Sequence, residues 1–495
     1  MDALKKSVFL VLFLALLTAA CQVSSVPTGE RQGPGGPPTS PPPPTKAPLV
    51  QPPATSPPSR PASPSSPEKA EMLLTVDPTP GGEPIRPLLG VGGGPAPVGP
   101  GNAPLTEQYH TIGVTMVRTH DLGGPLDMAV IYPDQDADPH DPASYDFDVS
   151  DRVFAAIVEG GFEPYLRLGD SWSVRGLTRR APANPANWVR AAVEVVRHYD
   201  ELSRQAGVPL RYVEIWNEPN FKQFWDASPR EFYDLFAKTA SALKAEFPHL
   251  MVGGPGLASS ASSLSPEEEQ YTQRFLDYLQ QQGIPLDFLS WHVYSSDAAT
   301  YRQLAAFYRQ QLDDHGYSDA ESHITEWNTA MQGEDESDAV RNTARGAALM
   351  SAAWVGLQEG DVAVSTFYRG NEVGAGGNMG MFYPDGSAKP MAWAFSLWAQ
   401  IAAHPDRLGV NSSAGQGNPL WVLAGQGETG EVALLIVNPS DAPTSWQVVF
   451  GGRKLTGGAT LYQVSEAAEG VQTFTLESPA AEIGAYTVQL LIAHP

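Results

Sequence analysis

Two stretches decide how this chain reads: Glu214-Ile215-Trp216-Asn217-Glu218-Pro219-Asn220 and His323-Ile324-Thr325-Glu326-Trp327-Asn328. Each is a short apolar or β-branched run that gives way to polar residues and a glutamate. That is the form of a strand delivering a carboxylate at its C-terminal end. Working outward, eight runs are predicted as strands: 88–91, 115–118, 164–167, 212–216, 251–253, 288–291, 323–325 and 363–367. Helical segments fill the gaps. Ser228-Pro229-Arg230-Glu231 is a capping box with proline at the first helical position, and Phe232, Leu235, Phe236 and Leu243 give that helix one apolar face. Ser265-Pro266-Glu267-Glu268 repeats the signature, with a stop predicted near Gly283. Val189, Ala192, Val193 and Val196 stripe a third helix that should end near Gly207. Eight strand–helix units predict an α/β fold, a (β/α)8 TIM barrel, with a doubly wound open sheet as the alternative. The open sheet lacks its dinucleotide fingerprint. Gly90-Val91-Gly92-Gly93-Gly94 has the wrong spacing and runs into Pro95 rather than a helix.

The flanking segments differ in kind. Residues 405–495 read as short strands separated by Gly, Asn, Pro and Ser, predicting a β-sandwich domain, to which Met72–Val76 can add a strand. Residues 71–404 are assigned to the barrel. Residues 21–70 are a Pro/Ser-rich linker: from Pro27 to Pro67, 16 of 41 residues are proline. Such a segment buries no apolar surface and extends as polyproline II, reaching roughly 130 Å if fully extended. Residues 1–20 carry Lys5 and Lys6 before the apolar run Val8–Leu17, too short for a membrane span and right for a signal peptide. Thr18-Ala19-Ala20-Cys21 resembles a bacterial lipobox. The resemblance implies export, lipidation at Cys21 and a membrane partner through that anchor. Gln22, where aspartate would favour inner-membrane retention, points to the outer membrane or cell surface.

Composition excludes several classes. The 495 residues carry 31 Lys+Arg against 55 Asp+Glu, a net charge of −24. No basic surface for nucleic acid is expected from that balance. A hydrophobic content of 42% excludes global disorder. A single cysteine excludes a disulfide framework and a cysteine-based zinc site. His110, His120 and His140 stand alone, without the paired spacing of a metal centre, so no metal or cofactor is expected. Asp134, Asp136, Asp138 and Asp141 suggest a calcium loop, but Pro133, Pro139 and the missing Gly and final Glu read as a solvated acidic loop.

The chemistry rests on Glu218 and Glu326. They end the fourth and seventh predicted strands, which lie across a barrel mouth from each other. Two facing carboxylates are what glycosidic cleavage needs: one protonates the leaving oxygen, the other stabilises or captures the sugar carbon. Each glutamate has a neighbouring tryptophan, Trp216 or Trp327, whose ring face would suit a sugar. A lone glutamate at a strand end is ordinarily a capping or surface residue; two in this relation are not.

Trp216-Asn217-Glu218-Pro219 resembles the strand-four signature of clan A glycoside hydrolases. Its continuation Asn220-Phe221-Lys222-Gln223-Phe224-Trp225 is similar to glycoside hydrolase family 39, which includes β-xylosidases and α-L-iduronidases. Val117-Arg118-Thr119-His120, Gly253-Gly254-Pro255, Ser290-Trp291-His292-Val293-Tyr294 and Thr325-Glu326-Trp327-Asn328 resemble further segments of that family. The resemblance implies a retaining double displacement with Glu218 as general acid/base and Glu326 as nucleophile. It implies that Asn217 bonds the sugar 2-hydroxyl and that His292 and Tyr294 line the site. Strand three, ending Arg167-Leu168-Gly169-Asp170-Ser171-Trp172, and strand eight, running Phe367-Tyr368-Arg369-Gly370-Asn371-Glu372, depart from the pattern. Arg118, His120 and Trp172 are further substrate-binding candidates, because strand ends two and three face the mouth. The expected partner is a carbohydrate. The alternatives are a catalytically silent carbohydrate-binding surface lipoprotein and a transglycosylase using the same two glutamates.

Overall fold

A computed structural model describes residues 70–493 except 100, 172–180, 260–263, 330–339, 373–378, 414–418, 452 and 455–457. The signal segment, Cys21, the linker and Trp172 lie outside the described residues. After a first strand, β1 (Met72–Pro80), come β2 (Gly90–Gly92), β3 (Met116–Arg118), β4 (Glu163–Leu168), β5 (Tyr212–Ile215), β6 (Met251–Leu257), β7 (Phe288–Tyr294), β8 (Glu321–Asn328) and β9 (Val362–Phe367). Strands β2 to β9 pair in chain order and close, β9 against β2, as a parallel barrel. All eight predicted strands are present, and closure excludes the open sheet. At the seam a Cβ on Gly90 would lie 2.3 Å from the Ser365 carbonyl oxygen, so the first barrel strand needs glycine there.

The helices begin where the capping boxes put them. Ser228 and Ser265 each cap the third backbone N–H of their helices, Pro229–Glu246 and Pro266–Gln282, and Glu231 and Glu268 reach back to the caps. Gly283 and Gly207 close their helices in the left-handed conformation. In the acidic loop, Asp134, Asp138 and Asp141 each cap a backbone N–H two residues on, at 2.9 to 3.0 Å, as turn formers do.

Alternation along the strands sorts the barrel interior into layers. Met116, Tyr165, Tyr212, Phe288 and Val364 form an apolar cluster inside it. Two residues further along β3, β4 and β5 the same inward positions carry Arg118, Arg167 and Glu214, all buried. The polar layer lies toward the C-terminal strand ends, where a barrel builds its site.

The remaining strands, from β10 (Asp406–Ser412) through β11 (Trp421–Gln426), β12 (Val432–Asn438), β13 (Thr444–Phe450), β14 (Arg453–Lys454), β15 (Ala459–Ser465), β16 (Ala468–Leu476) and β17 (Ala480–Ile483) to β18 (Thr487–Ala493), join β1 in one ten-stranded sheet. β1 runs between β13 and β10, so Met72–Val76 adds its strand to the second sheet as expected, and the barrel starts later in the chain than residue 71. The sheet has its own core, including Leu74, Leu434, Ile436, Trp446, Leu461 and Leu491. Its other face meets the barrel's helices. Every residue of β12 is buried, because Leu434 and Ile436 face the sheet's core while Leu435 and Val437 join the barrel's core cluster. A strand buried on both faces reads as a continuous apolar run, as this one does. Leu435→Ala is expected to cost about 2–5 kcal/mol of unfolding free energy in urea titration; a cost near zero would show that the two layers do not support each other.

Candidate active site

Arg118, at the end of β3, is fully buried and points into the barrel mouth. Its Nε donates to Glu214 Oε2 at 2.7 Å, Nη1 to Glu326 Oε1 at 2.8 Å and Nη2 to Asn217 Oδ1 at 2.8 Å. Burial opposes the guanidinium's charge, but Glu214 and Glu326 outweigh it and hold its pKa above the usual arginine value. Glu214 is the reciprocal case. Burial works against it, yet Arg118 draws its carboxyl below the ordinary range.

Glu326 reaches the mouth through a local irregularity. Trp291 on β7 pairs with Ile324, but the next residue, His292, pairs with Glu326. Thr325 is therefore an extra residue, a β-bulge, which re-aims the side chains around it. As a result Thr325 and Glu326, neighbours in sequence, both engage groups at the mouth. Besides Arg118, Glu326 accepts from the Tyr294 hydroxyl at 2.9 Å and lies 3.1 Å from His120 Nε2. Burial, and then the charges of Arg118 and Arg167, keep His120 neutral. Burial pushes the Glu326 carboxyl up to about 7; Arg118 pulls it down and Asp121 pushes it further up.

Glu218 follows β5 on a turn in which Trp216 and Glu218 both have left-handed backbones, φ 81 and φ 50. Such non-glycine conformations cost on the order of 1–3 kcal/mol each and persist where the surroundings enforce them. Here the Glu218 N–H donates to Gly256 O at 3.0 Å, and Asn220 makes two hydrogen bonds to Ala258, at 2.8 and 3.1 Å. Glu218 Oε1 lies 2.8 Å from His292 Nδ1. Burial raises the Glu218 carboxyl and the Glu326 charge adds to it; a hydrogen on His292 Nδ1 would oppose this, a lone pair there would not. Unlike Glu326, Glu218 makes no ion pair with arginine or lysine among the described residues. One oxygen from each glutamate and His292 Nδ1 or Nε2 lie within 4.8 Å of one another. Both His292 nitrogens already have partners, Glu218 and Thr325 Oγ1. The donor set is that of a hydrogen-bonded acid pair.

Residues 102–365, just over half of the chain, match glycosyl hydrolases family 39. The chain belongs to that family. A β-xylosidase of Geobacillus stearothermophilus is 30% identical over 213 residues, which is 41% of this chain and 40% of the relative. A β-xylosidase of Caldicellulosiruptor saccharolyticus is 28% identical over 171 residues, covering 32% of each chain. The alignments thus span less than half the length of these curated relatives. Among solved structures, a glucosidase from Croceicoccus marinus superposes with a TM-score of 0.69 at 24% identity, covering 86% of this chain and 99% of that one. The family 39 enzyme of Xanthomonas axonopodis pv. citri does so at 0.63 and 18%, covering 88% and 98%. At these identities the likeness establishes the fold.

Within this family 39 barrel, Asn217, Glu218, His292, Tyr294, Glu326, Arg118 and His120 converge on one mouth. Trp327 does not join them. Its indole is fully buried, donates to Ser365 Oγ at 2.7 Å and stacks on Trp398 of the helix Pro390–Ala402. Trp216 and Trp225 likewise pack edge-to-face in the core. The bulge that turns Glu326 inward leaves Trp327 outward, so a neighbouring tryptophan in sequence is not a neighbouring ring in the site. Sequence reading missed Glu214, Asp121 and Tyr368. Tyr368 donates to Asp121 Oδ2 at 2.6 Å beside His120. Glu214 left a signal: a charge inside an otherwise apolar strand, two residues from Tyr212. Trp327→Ala is expected to lower unfolding free energy by about 3–5 kcal/mol; unaltered stability with altered sugar binding would return Trp327 to the site.

Proposed function

We propose that this chain is a retaining glycoside hydrolase in which Glu218 is the general acid/base and Glu326 the nucleophile. The observation that carries the reading is the facing pair itself, with an oxygen of Glu218 and one of Glu326 within 4.8 Å. Retaining enzymes hold their carboxyls about 5–5.5 Å apart, while inverting ones leave about 6.5–9.5 Å for a water. The partners divide the labour. Arg118 favours the ionised form of Glu326 that a nucleophile needs, offsetting part of the burial that lifts its pKa to about 7. Glu218, next to a neutralised imidazole and without a cation of its own, is suited to carry a proton. In the first step Glu218 protonates the leaving oxygen as Glu326 bonds the anomeric carbon; in the second, Glu218 takes a proton from the attacking water. Asn217 Nδ2 has no partner among the described residues, which suits it to the sugar 2-hydroxyl once Arg118 has engaged its Oδ1.

The β-xylosidase relatives make aryl β-xylosides the first substrates to offer. The expected outcome is turnover, with a fluorinated xyloside labelling Glu326 and no labelling of Glu326→Ala. A chain that binds sugar but neither turns over nor labels is the silent carbohydrate-binding alternative. Glu218→Gln should lose about 10²–10⁴-fold in kcat/KM on glycosides with poor leaving groups and far less on activated ones. The pH dependence follows from what faces Glu326: Arg118, His120, Tyr294, Asp121, Glu218 and His292, whose Nδ1 lies 3.7 Å from Glu326 Oε2. kcat/KM should rise with pH as Glu326 ionises near 7. Because Arg118 pulls that carboxyl down, Arg118→Gln should move the rising limb to higher pH. An unmoved limb would assign it to another group.

From the lipobox-like Thr18-Ala19-Ala20-Cys21 we also propose a place in the cell envelope, with a lipid on Cys21 as anchor and the linker as spacer. Cys21→Ser should shift it from the membrane to the soluble fraction of a bacterial host, and unchanged fractionation would refute the anchor.

A further inference from the structure

Thr325, the bulge residue, lies between the two glutamates, and its one hydroxyl hydrogen has a fixed destination. Glu214 is ionised beside Arg118 and can only accept, so the Thr325 hydroxyl donates to Glu214 Oε1, at 2.8 Å. The Thr325 oxygen then accepts from His292 Nε2 at 3.0 Å, which makes Nε2 the protonated nitrogen. Burial disfavours the charged imidazole. A neutral ring with hydrogen on Nε2 has a lone pair on Nδ1, the atom 2.8 Å from Glu218 Oε1. A lone pair and a carboxylate oxygen do not share that distance, so the hydrogen between them belongs to Glu218. Gly256 leaves room for the arrangement: a Cβ there would lie 2.9 Å from His292 Nε2.

The geometry points to Thr325 and Glu214 as positioning residues: by fixing which nitrogen of His292 bears hydrogen, they keep a proton on Glu218 until a leaving group takes it. The inference rests on Glu218 being the proton donor. A bound glycoside offers its bridging oxygen as a competing acceptor. The Glu218 O–H bond breaks, an O–H bond forms on the departing oxygen, and the bond from the anomeric carbon breaks with its electron pair passing to that oxygen. The carboxylate left behind faces the Nδ1 lone pair, so it is a strong base toward the water that attacks the glycosyl-enzyme. One lock serves both half-reactions.

Removing the hydroxyl without changing the shape tests this. In Thr325→Val, Nε2 loses its acceptor and the ring is free to place hydrogen on Nδ1, favouring ionised Glu218. The expected result is a loss of about 10–100-fold in kcat/KM on methyl β-xyloside, with kcat/KM on dinitrophenyl β-xyloside nearly unchanged, and recovery in Thr325→Ser. Equal losses on both substrates, or none on either, would overturn it. A reading independent of any variant comes from nitrogen NMR of the unmutated protein with labelled histidine. A protonated Nε2 and an unprotonated Nδ1 at His292 are expected, and the opposite tautomer would contradict the lock. Failure of Glu218→Gln to discriminate between the two xylosides would remove the acid assignment itself; discrimination by Glu218→Gln but not by Thr325→Val would remove only the lock.

Discussion

A buried guanidinium is the constraint on which the site depends. Arg118 has no solvent exposure, and a cation taken out of water costs several kcal/mol unless its surroundings restore what hydration supplied. Here they do so through three acceptors, each on a different edge of the planar fork: Glu214, Glu326 and Asn217. Because the fork is rigid, satisfying it also fixes distances. It ties β3 to β5 and β8, on three sides of the mouth, and sets the nucleophile candidate against the turn that carries Glu218. Deleting Arg118 would leave both carboxylates buried without their cation, which costs about 3–5 kcal/mol. Electrostatic order and geometric order are here the same requirement.

Around that centre the backbone departs from regular structure in just the places that aim side chains. The bulge at Thr325 lets two successive residues of β8 reach the mouth. The left-handed residues at Trp216 and Glu218 turn the chain sharply after β5. These departures have a cost, met by hydrogen bonds to the neighbouring loop at Gly256 and Ala258 and by the packing beneath them. The aromatic pairs of Trp216 with Trp225 and of Trp327 with Trp398 belong to that packing. The second sheet supports the barrel in turn by burying one face of β12 against its helices.

Much of this was legible in the sequence because it obeys local rules. The eight barrel strands, both capping boxes and the strand-rich tail follow from periodicity, capping residues and turn chemistry. The pairing of Glu218 with Glu326 followed from counting strand–helix units. What was not legible depends on register. Trp327 was read as a sugar platform from its place beside Glu326, but adjacent strand residues point to opposite sides, and the bulge at Thr325 gives the mouth to Glu326. Glu214 was hidden for a related reason: a charge within an apolar strand shows its purpose only when its partner, Arg118, some hundred positions away in the chain, closes over it. That β1 joins the far sheet was readable as an added strand, but not its position between β13 and β10, since strand order is set by tertiary packing.

The central claim is that Glu326 attacks the sugar directly while Glu218 manages the proton. The most direct test is proton NMR of the anomeric signal in the first minutes of hydrolysis of an aryl β-xyloside, before mutarotation mixes the products. The account predicts that β-xylose appears first, the configuration kept through two displacements. Initial release of the α-anomer would mean that a water, not Glu326, meets the anomeric carbon, and would contradict the mechanism.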